Sequence, residues 1–211
     1  MYTLYMAKGS SALAAHILLE EIGAPYQTQV LSVPDGEHLS DTYLSVNPRG
    51  RVPALATPHG VLTENPAILA YLAQAHPEKE LAPKDPFGFA TAQSANLYLA
   101  STMHPAFAHK LRGARYADSP DAITAMKDKV PANMAECARL IEDHLLQGPL
   151  GPRRTILDVR SLFLSGASLD GSQPHQHRRI SENTRPCGSH AGQTRNTRRA
   201  GAARALTDYF I

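Results

Sequence analysis

Over its first 33 residues the chain changes hydrophobic period twice, and no other feature restricts its fold as much. Tyr2–Met6 is a short β-prone run. Gly9-Ser10-Ser11 then opens a segment with Leu13, Ile17, Leu18 and Ile22 at helical spacing, and Gly23 closes it as a C-terminal stop. Tyr26–Val33 returns to alternation and is rich in Val, Thr and Gln, the pattern of a second strand. Strand, helix and strand at these lengths make a βαβ unit, whose crossover geometry predicts parallel strands.

The following residues extend the unit. His38–Val46 suits a short helix, and Asn47-Pro48-Arg49-Gly50 is turn chemistry. Val52–Thr57 and Gly60–Thr63 flank Pro58-His59 as a hairpin, with Pro53 near the start of its strand, where proline needs an edge or a special turn. Thr63-Glu64-Asn65-Pro66 predicts a helix start with Asn65 as cap and Pro66 at the first helical position. Ala67, Ile68, Tyr71, Leu72 and Ala75 carry its buried stripe. The order over residues 1–76 is βαβαββα. A proline-rich linker, residues 77–86, leads to two long helical segments, Phe87–Arg115 and Asp121–Leu146, within residues 87–150. Asp118-Ser119-Pro120 divides them, with Ser119 a natural cap. Pro105 predicts a kink in the first. Met134, Cys137, Ala138, Ile141 and Leu145 share one face of the second, which places Cys137 in the core. The class expected is α+β, a mixed sheet domain followed by an all-α domain.

Composition narrows the function. At 211 residues and 43% hydrophobic the chain can bury a proper core, and no apolar run approaches the ~20 residues of a membrane helix. The N-terminus carries no basic segment followed by an apolar stretch, so no signal peptide is expected. Two cysteines, Cys137 and Cys187, make no disulfide scaffold, and a reducing cytoplasm is the expected compartment. There is no phosphate loop, nucleotide fingerprint or metal spacing. His175, His177, Cys187 and His190 lie where no hydrophobic pattern would support a metal site.

Three motifs, in order and correctly spaced, resemble the glutathione transferase superfamily over residues 2–150, and within it the bacterial beta-like members. Gly9-Ser10-Ser11-Ala12-Leu13-Ala14-Ala15-His16 stands where that class has a glycine, a catalytic cysteine and a helix ending in Leu-x-x-His. Asn47-Pro48-x-Gly50-x-Val52-Pro53-Ala54-Leu55 is similar to the signature turn and cis-proline strand. Leu62-Thr63-Glu64-Asn65-x-Ala67-Ile68 is similar to the Glu-Ser-x-Ala-Ile element. The resemblance implies a thioredoxin-like N-terminal domain, glutathione as co-substrate, a small electrophile as second substrate, no metal, and a cytoplasmic homodimer. It implies neither a membrane nor a nucleic-acid partner.

The same resemblance assigns the site. Val52, placed by Pro53, would pair with the cysteinyl backbone of glutathione like one more strand. Asn65 and the helix-start amide would hold the γ-glutamyl carboxylate, which a helix N-terminus favours, and Glu64 would meet the γ-glutamyl ammonium. Where the beta class has its cysteine this chain has Ser11, with Ser10 beside it, so the implied chemistry is a serine hydroxyl hydrogen-bonding the thiolate. Lowering a free thiol from pH ~8.5 by two units needs about 2.7 kcal/mol. One charge-assisted hydrogen bond gives roughly 1.5–3 kcal/mol and a helix N-terminus about 0.3–1, so Ser11, or Ser10 in its place, suffices. His104, in Met103-His104-Pro105-x-Phe107, would face thiolate or electrophile, or pack in the helix. Tyr98, Arg112 and Tyr116 would reach the same cleft, though the sequence does not select among them. A non-catalytic glutathione- or partner-binding member is the alternative reading, motivated by the missing cysteine.

Residues 151–211 break the pattern. Residues 1–150 hold 11 Lys/Arg against 15 Asp/Glu, whereas 151–211 hold 10 Arg, no Lys and 4 Asp/Glu. Between Ile180 and Leu206 there is no Leu, Ile, Val, Met, Phe or Tyr, so disorder is expected, with the helical domain left incomplete. Read one base forward, the codons admissible for Arg160–Phe163 permit Asp-Pro-Tyr, and those downstream permit an apolar helix, a Phe-Pro turn and an arginine-rich amphipathic helix. That hidden text resembles the superfamily's usual ending and points to a one-base slip near Gly151–Thr155. The alternative is a basic tail that attracts nucleic acid electrostatically.

Overall fold

The computed structural model describes residues 1–145. The expectations for 151–211, the frame slip and the His175–His190 cluster among them, lie outside the described residues.

A four-stranded mixed sheet is built from β1 (Tyr2–Met6), β2 (Tyr26–Val30), β3 (Ala54–Thr57) and β4 (Gly60–Thr63), in the order β2-β1-β3-β4. β1 and β2 run parallel with Tyr2 opposite Tyr26, as the βαβ reading requires. β3 is antiparallel to both β1 and β4, with Leu4 opposite Leu55 and Leu55 opposite Leu62. The hairpin turn at Pro58-His59 closes when the Thr57 hydroxyl donates to the Gly60 carbonyl at 2.8 Å and accepts from the His59 amide at 3.0 Å. The second strand is shorter than the alternation predicted. Its ladder ends with the Leu31 amide on the Met6 carbonyl, and Val33 belongs to a turn closed by the Gly36 amide on the Val33 carbonyl.

Helices α1 (Leu13–Ile22) and α3 (Asn65–Ala75) pack together over this sheet. Leu18, Leu19 and Ile22 from α1 and Ile68, Leu69 and Leu72 from α3 meet Leu4 and Leu55 in one buried cluster. Each such side chain contributes about 1.5–3 kcal/mol by leaving water. Gly23, at φ 70°, ends α1 with its amide on the Leu19 carbonyl. Between β2 and β3 the predicted His38–Val46 helix is broken. A 3-10 turn over Glu37–Leu39 precedes α2 (Asp41–Leu44), because Ser40 adopts an extended conformation and caps α2 by accepting from the Tyr43 amide.

A second cluster lies in the helical region. Asp85 accepts from the Gly88 amide and, with Pro86 at the first position, starts α4 (Pro86–Tyr98). α4 runs into a π-helical turn at Leu99–Met103, followed by α5 (His104–Arg112) and a 3-10 turn at Gly113–Arg115. The predicted kink at Pro105 takes this form. Proline has no amide to donate and crowds the carbonyl four residues back, and the wide turn, with the His104 amide reaching back to Leu99, accommodates both. Ser119 caps α6 (Pro120–Leu140), which contains Pro131 and continues as a π-helical turn over Ile141–Leu145. Leu99, Met103, Phe107, Val130, Met134, Cys137 and Ile141 form the core of this region, so Cys137 sits where the apolar stripe put it. The architecture is α+β: a thioredoxin-like sheet unit followed by a helical region.

Candidate functional site

Three segments supply the candidate residues: the turn before α1, the turn before β3, and the start of α3. In the first, the Ser10 hydroxyl is consumed locally. It donates to the Ala7 carbonyl at 2.7 Å and accepts from the amides of Ala7 and Ala12 at 3.3 and 3.4 Å. Ser11 makes no side-chain hydrogen bond among the described residues, and its carbonyl receives the Ala14 amide as α1 begins. Ser10 thus shapes the turn, and Ser11 is the serine whose hydroxyl is open to a ligand.

The second segment is held from within. Asn47 is only 2% exposed; its Nδ2 donates to the Arg51 carbonyl at 2.6 Å and its Oδ1 accepts from the Arg49 amide at 3.1 Å. The Tyr43 hydroxyl donates to the same Arg51 carbonyl at 2.6 Å. Gly50, at φ 55°, closes the turn through its amide on the Asn47 carbonyl. A Cβ there would lie 2.8 Å from Leu39 Cδ2, an exposed side-chain end that can move, and 3.1 Å from the His38 carbonyl oxygen, so the left-handed φ is the stronger reason for glycine. The chain emerges into a cis Val52–Pro53 peptide. Both residues precede Ala54, the first paired residue of β3, so the ladder does not use their backbone groups.

The third segment corrects the sequence reading. Asn65 does not cap α3. Glu64 stands at the cap position with φ 69° and ψ 122° and makes no capping hydrogen bond, while Asn65 is the first helical residue. Asn65 is buried, and its Nδ2 donates 2.7 Å to the Ser11 carbonyl, across 54 residues of sequence. A carbonyl only accepts, so this bond fixes which way the amide faces. Oδ1 is left buried with no partner among the described residues. The Asn65 and Ala67 amides, in the first turn, have no intrahelical acceptor. The Glu64 carboxylate, well exposed, pairs with Arg49 Nη1 at 3.0 Å, and the same nitrogen lies 3.3 Å from the Thr63 hydroxyl. Sequence reasoning passed over Arg49 as a turn residue, and fifteen residues of separation gave no signal of its pairing.

From the helical region His104 is partly buried at the start of α5. Desolvation, then the Arg112 and Arg51 charges, hold its imidazole below the usual histidine range, so it is neutral at pH 7. Arg112 in turn feels desolvation, Arg115 and Arg51, all lowering its pKa. The charge of Arg51, next to the cis proline, therefore acts on α5, a relation the sequence did not reveal. Tyr98 turns elsewhere: it packs on the helical core, and burial, with Cys137 and Glu136 nearby, pushes its pKa to about 12. Tyr116 stacks edge-on against His109, ring centres 4.6 Å apart.

Residues 1–74 match the family described as glutathione S-transferase, N-terminal domain. The chain is 31% identical over 162 residues to glutathione S-transferase GstA of Escherichia coli O157:H7, an alignment spanning 74% of this chain and 77% of that protein. A crystal structure of a glutathione transferase homologue from Sulfitobacter, with bound glutathione, superposes with a TM-score of 0.73 at 41% identity, covering 81% of this chain and 83% of that one. Maleylacetoacetate isomerase of Pseudomonas aeruginosa is 33% identical over 108 residues; there the match spans half the length of each protein. Sheet order, cis-proline turn and sequence likeness agree, and the chain belongs to the glutathione S-transferase family.

Proposed function

We propose that the protein binds glutathione on its thioredoxin-like unit and transfers the thiolate to a small electrophile held against the helical region, with residues 1–76 and 87–150 as the two domains. The observation that carries this reading is the Asn65–Ser11 hydrogen bond at 2.7 Å, which holds the serine turn against the start of α3. One end of a bound tripeptide would lie at α3 and its sulfur at Ser11. The Asn65 and Ala67 amides, at the positive end of the helix, receive the γ-glutamyl carboxylate. Asn65 Oδ1, an acceptor without a donor among the described residues, and Glu64 receive the ammonium. The Val52 backbone pairs with the cysteinyl residue.

Ser11, rather than Ser10, donates to the thiolate, because the Ser10 proton is already committed to Ala7. His104, kept neutral, stands on the electrophile's side and adds no charge that would have to be neutralised before the second substrate enters. The carbon–sulfur bond forms as the electrophile's leaving group departs, and the thiol proton has already passed to solvent.

The test is an ultraviolet titration of bound glutathione in wild type, Ser11→Ala and Ser10→Ala. A thiol pKa below the free value of ~8.5, rising by about one to two units in Ser11→Ala as one charge-assisted hydrogen bond is lost, supports the assignment. An unchanged pKa and an unchanged conjugation rate in both variants would refute it. Binding without turnover on any electrophile would favour a non-catalytic member.

A further inference from the structure

The peptide unit that joins Arg51 to Val52 is held from one side only. Its carbonyl oxygen accepts two hydrogen bonds of 2.6 Å, from the Tyr43 hydroxyl and from Asn47 Nδ2. Both donors belong to buried residues. On the other side of the same unit, the Val52 amide has no acceptor among the described residues, and β3 begins only at Ala54. A peptide unit is planar, and this one is trans, since the cis bond is the next one along, Val52–Pro53. In a trans unit the C=O and N–H bonds point in opposite directions. Fixing the Arg51 oxygen therefore fixes the direction of the Val52 amide hydrogen, the donor that would meet the cysteinyl backbone of glutathione. The two bonds also polarise the unit, because a carbonyl that accepts hydrogen bonds makes its own N–H a stronger donor, by about 10–30% per bond.

The two donors take their bearings from different places. Asn47 is part of the turn it braces, and its Oδ1 accepts from the Arg49 amide of that turn at 3.1 Å. It sets the internal shape of the turn, not its placement on the sheet. Tyr43 comes from α2, and its ring lies against Tyr5 of β1, ring centres 5.6 Å apart. Tyr5 in turn stands opposite Ala54, the first residue of β3. Tyr43 thus ties the Arg51–Val52 unit to the sheet, whereas Asn47 ties it only to the loop.

We propose that Tyr43 is a positioning residue for glutathione: acting through the Arg51 carbonyl, its hydroxyl aims the Val52 amide at the cysteinyl carbonyl of the tripeptide. This deepens the reading above and rests on it. Tyr43 is buried and reaches neither the tripeptide nor the electrophile, so its hydroxyl governs glutathione affinity and not the chemical step.

Tyr43→Phe tests this, because it removes one oxygen, keeps the ring on Tyr5 and leaves Asn47 on the Arg51 oxygen. Urea unfolding checks that the variant is folded. The probes are glutathione and the tripeptide with 2-aminobutyrate in place of cysteine, which has the same backbone and no sulfur. Calorimetry gives both Kd values, steady-state kinetics with chlorodinitrobenzene gives KM and kcat, and ultraviolet titration gives the thiol pKa of bound glutathione. The expected result is a Kd raised about three- to tenfold for both tripeptides, the worth of one neutral hydrogen bond, with KM for glutathione rising in step. At saturating glutathione, kcat, KM for the electrophile and the thiol pKa keep their wild-type values. Equal Kd values in Tyr43→Phe and wild type overturn the inference and leave the transferase reading standing. So does a loss confined to glutathione, which would place the effect at the sulfur. A loss carried by kcat or by the electrophile's KM overturns it too, since a general loosening of the fold produces that pattern. If wild type binds the tripeptides but turns over no electrophile, the transferase reading fails, and the two Kd ratios decide the inference by the same criterion. If wild type binds neither tripeptide, the glutathione reading fails and the inference is overturned with it.

Discussion

Replacing Asn65 by alanine separates stability from ligand binding in a way that few buried polar substitutions do. Among the described residues the side chain makes one hydrogen bond, Nδ2 to the Ser11 carbonyl at 2.7 Å, and buries Oδ1 without a partner. Losing a neutral hydrogen bond costs about 0.5–1.5 kcal/mol, and an unsatisfied buried acceptor carries a penalty of about 1–3 kcal/mol that the substitution relieves. The Ser11 carbonyl is not orphaned, since the Ala14 amide already bonds to it. The two effects oppose each other, so unliganded Asn65→Ala should lose no more than about 0.5 kcal/mol, against the 1–3 expected when a fully bonded buried polar group is removed. The ligand reverses the outcome. If Oδ1 receives the glutathione ammonium, its loss weakens binding by one charge-assisted bond, tenfold or more. At a glutathione concentration 100 times the wild-type Kd the stabilisation is about 2.7 kcal/mol, and a tenfold weaker variant keeps only about 1.4. Urea unfolding with and without glutathione measures both numbers. A loss of 2 kcal/mol or more without ligand, or an undiminished glutathione increment, would show that Oδ1 is not the open acceptor on which the reasoning depends.

Three other outcomes are expected. Gly50→Ala should destabilise by about 1–2 kcal/mol, the cost of a left-handed backbone for a Cβ-bearing residue, since the exposed Leu39 side chain can move away from the new atom; a urea-midpoint shift worth under about 0.5 kcal/mol would contradict this. Pro131→Ala, at an exposed position inside α6, should stabilise by about 1–3 kcal/mol by restoring an amide to the helix; thermal unfolding checks it, and a lower Tm would refute it. His104 titrates lower in the folded protein than its ordinary 6.5, so between the two values the unfolded chain binds more protons. Its contribution is complete above pH 6.5 and is lost as pH falls through the folded pKa, and His104→Asn should flatten that limb of the stability–pH curve.

The sheet unit was readable because each of its elements carries its own signal within a few residues: alternation at Tyr2–Met6, a helical stripe ending at Gly23, and turn chemistry at Asn47–Gly50. The misreadings are places where local chemistry allowed two answers. Glu64 and Asn65 both suit a helix start, and proline fits either of the first two helical positions, so nothing local said that Glu64 would take the positive φ and leave Asn65 free to reach Ser11. Pro105 announced a distortion but not its form. The π-helical turn before it comes from packing, because Leu99, Met103 and Phe107 must all face the helical core while the proline avoids Ser101. Arg49 and Arg51 look alike in sequence, and only their partners, Glu64 for one and α5 for the other, tell them apart.

That difference between two neighbouring arginines bears on how the cleft works. On the proposed reading the site gathers negative charge: a thiolate at Ser11 and a γ-glutamyl carboxylate at the start of α3. Glu64 brings a carboxylate to the start of α3, and its pairing with Arg49 tempers its repulsion of those anions. Arg51 acts instead on α5, where burial first, and then the Arg112 and Arg51 charges, keep His104 neutral. A protonated His104 would add a positive charge beside Arg112. With a neutral imidazole, the attraction comes from guanidiniums, whose charge does not vary over physiological pH. The positive charge around His104 should therefore stay nearly constant from neutral pH upward and rise only below it, as His104 takes up a proton.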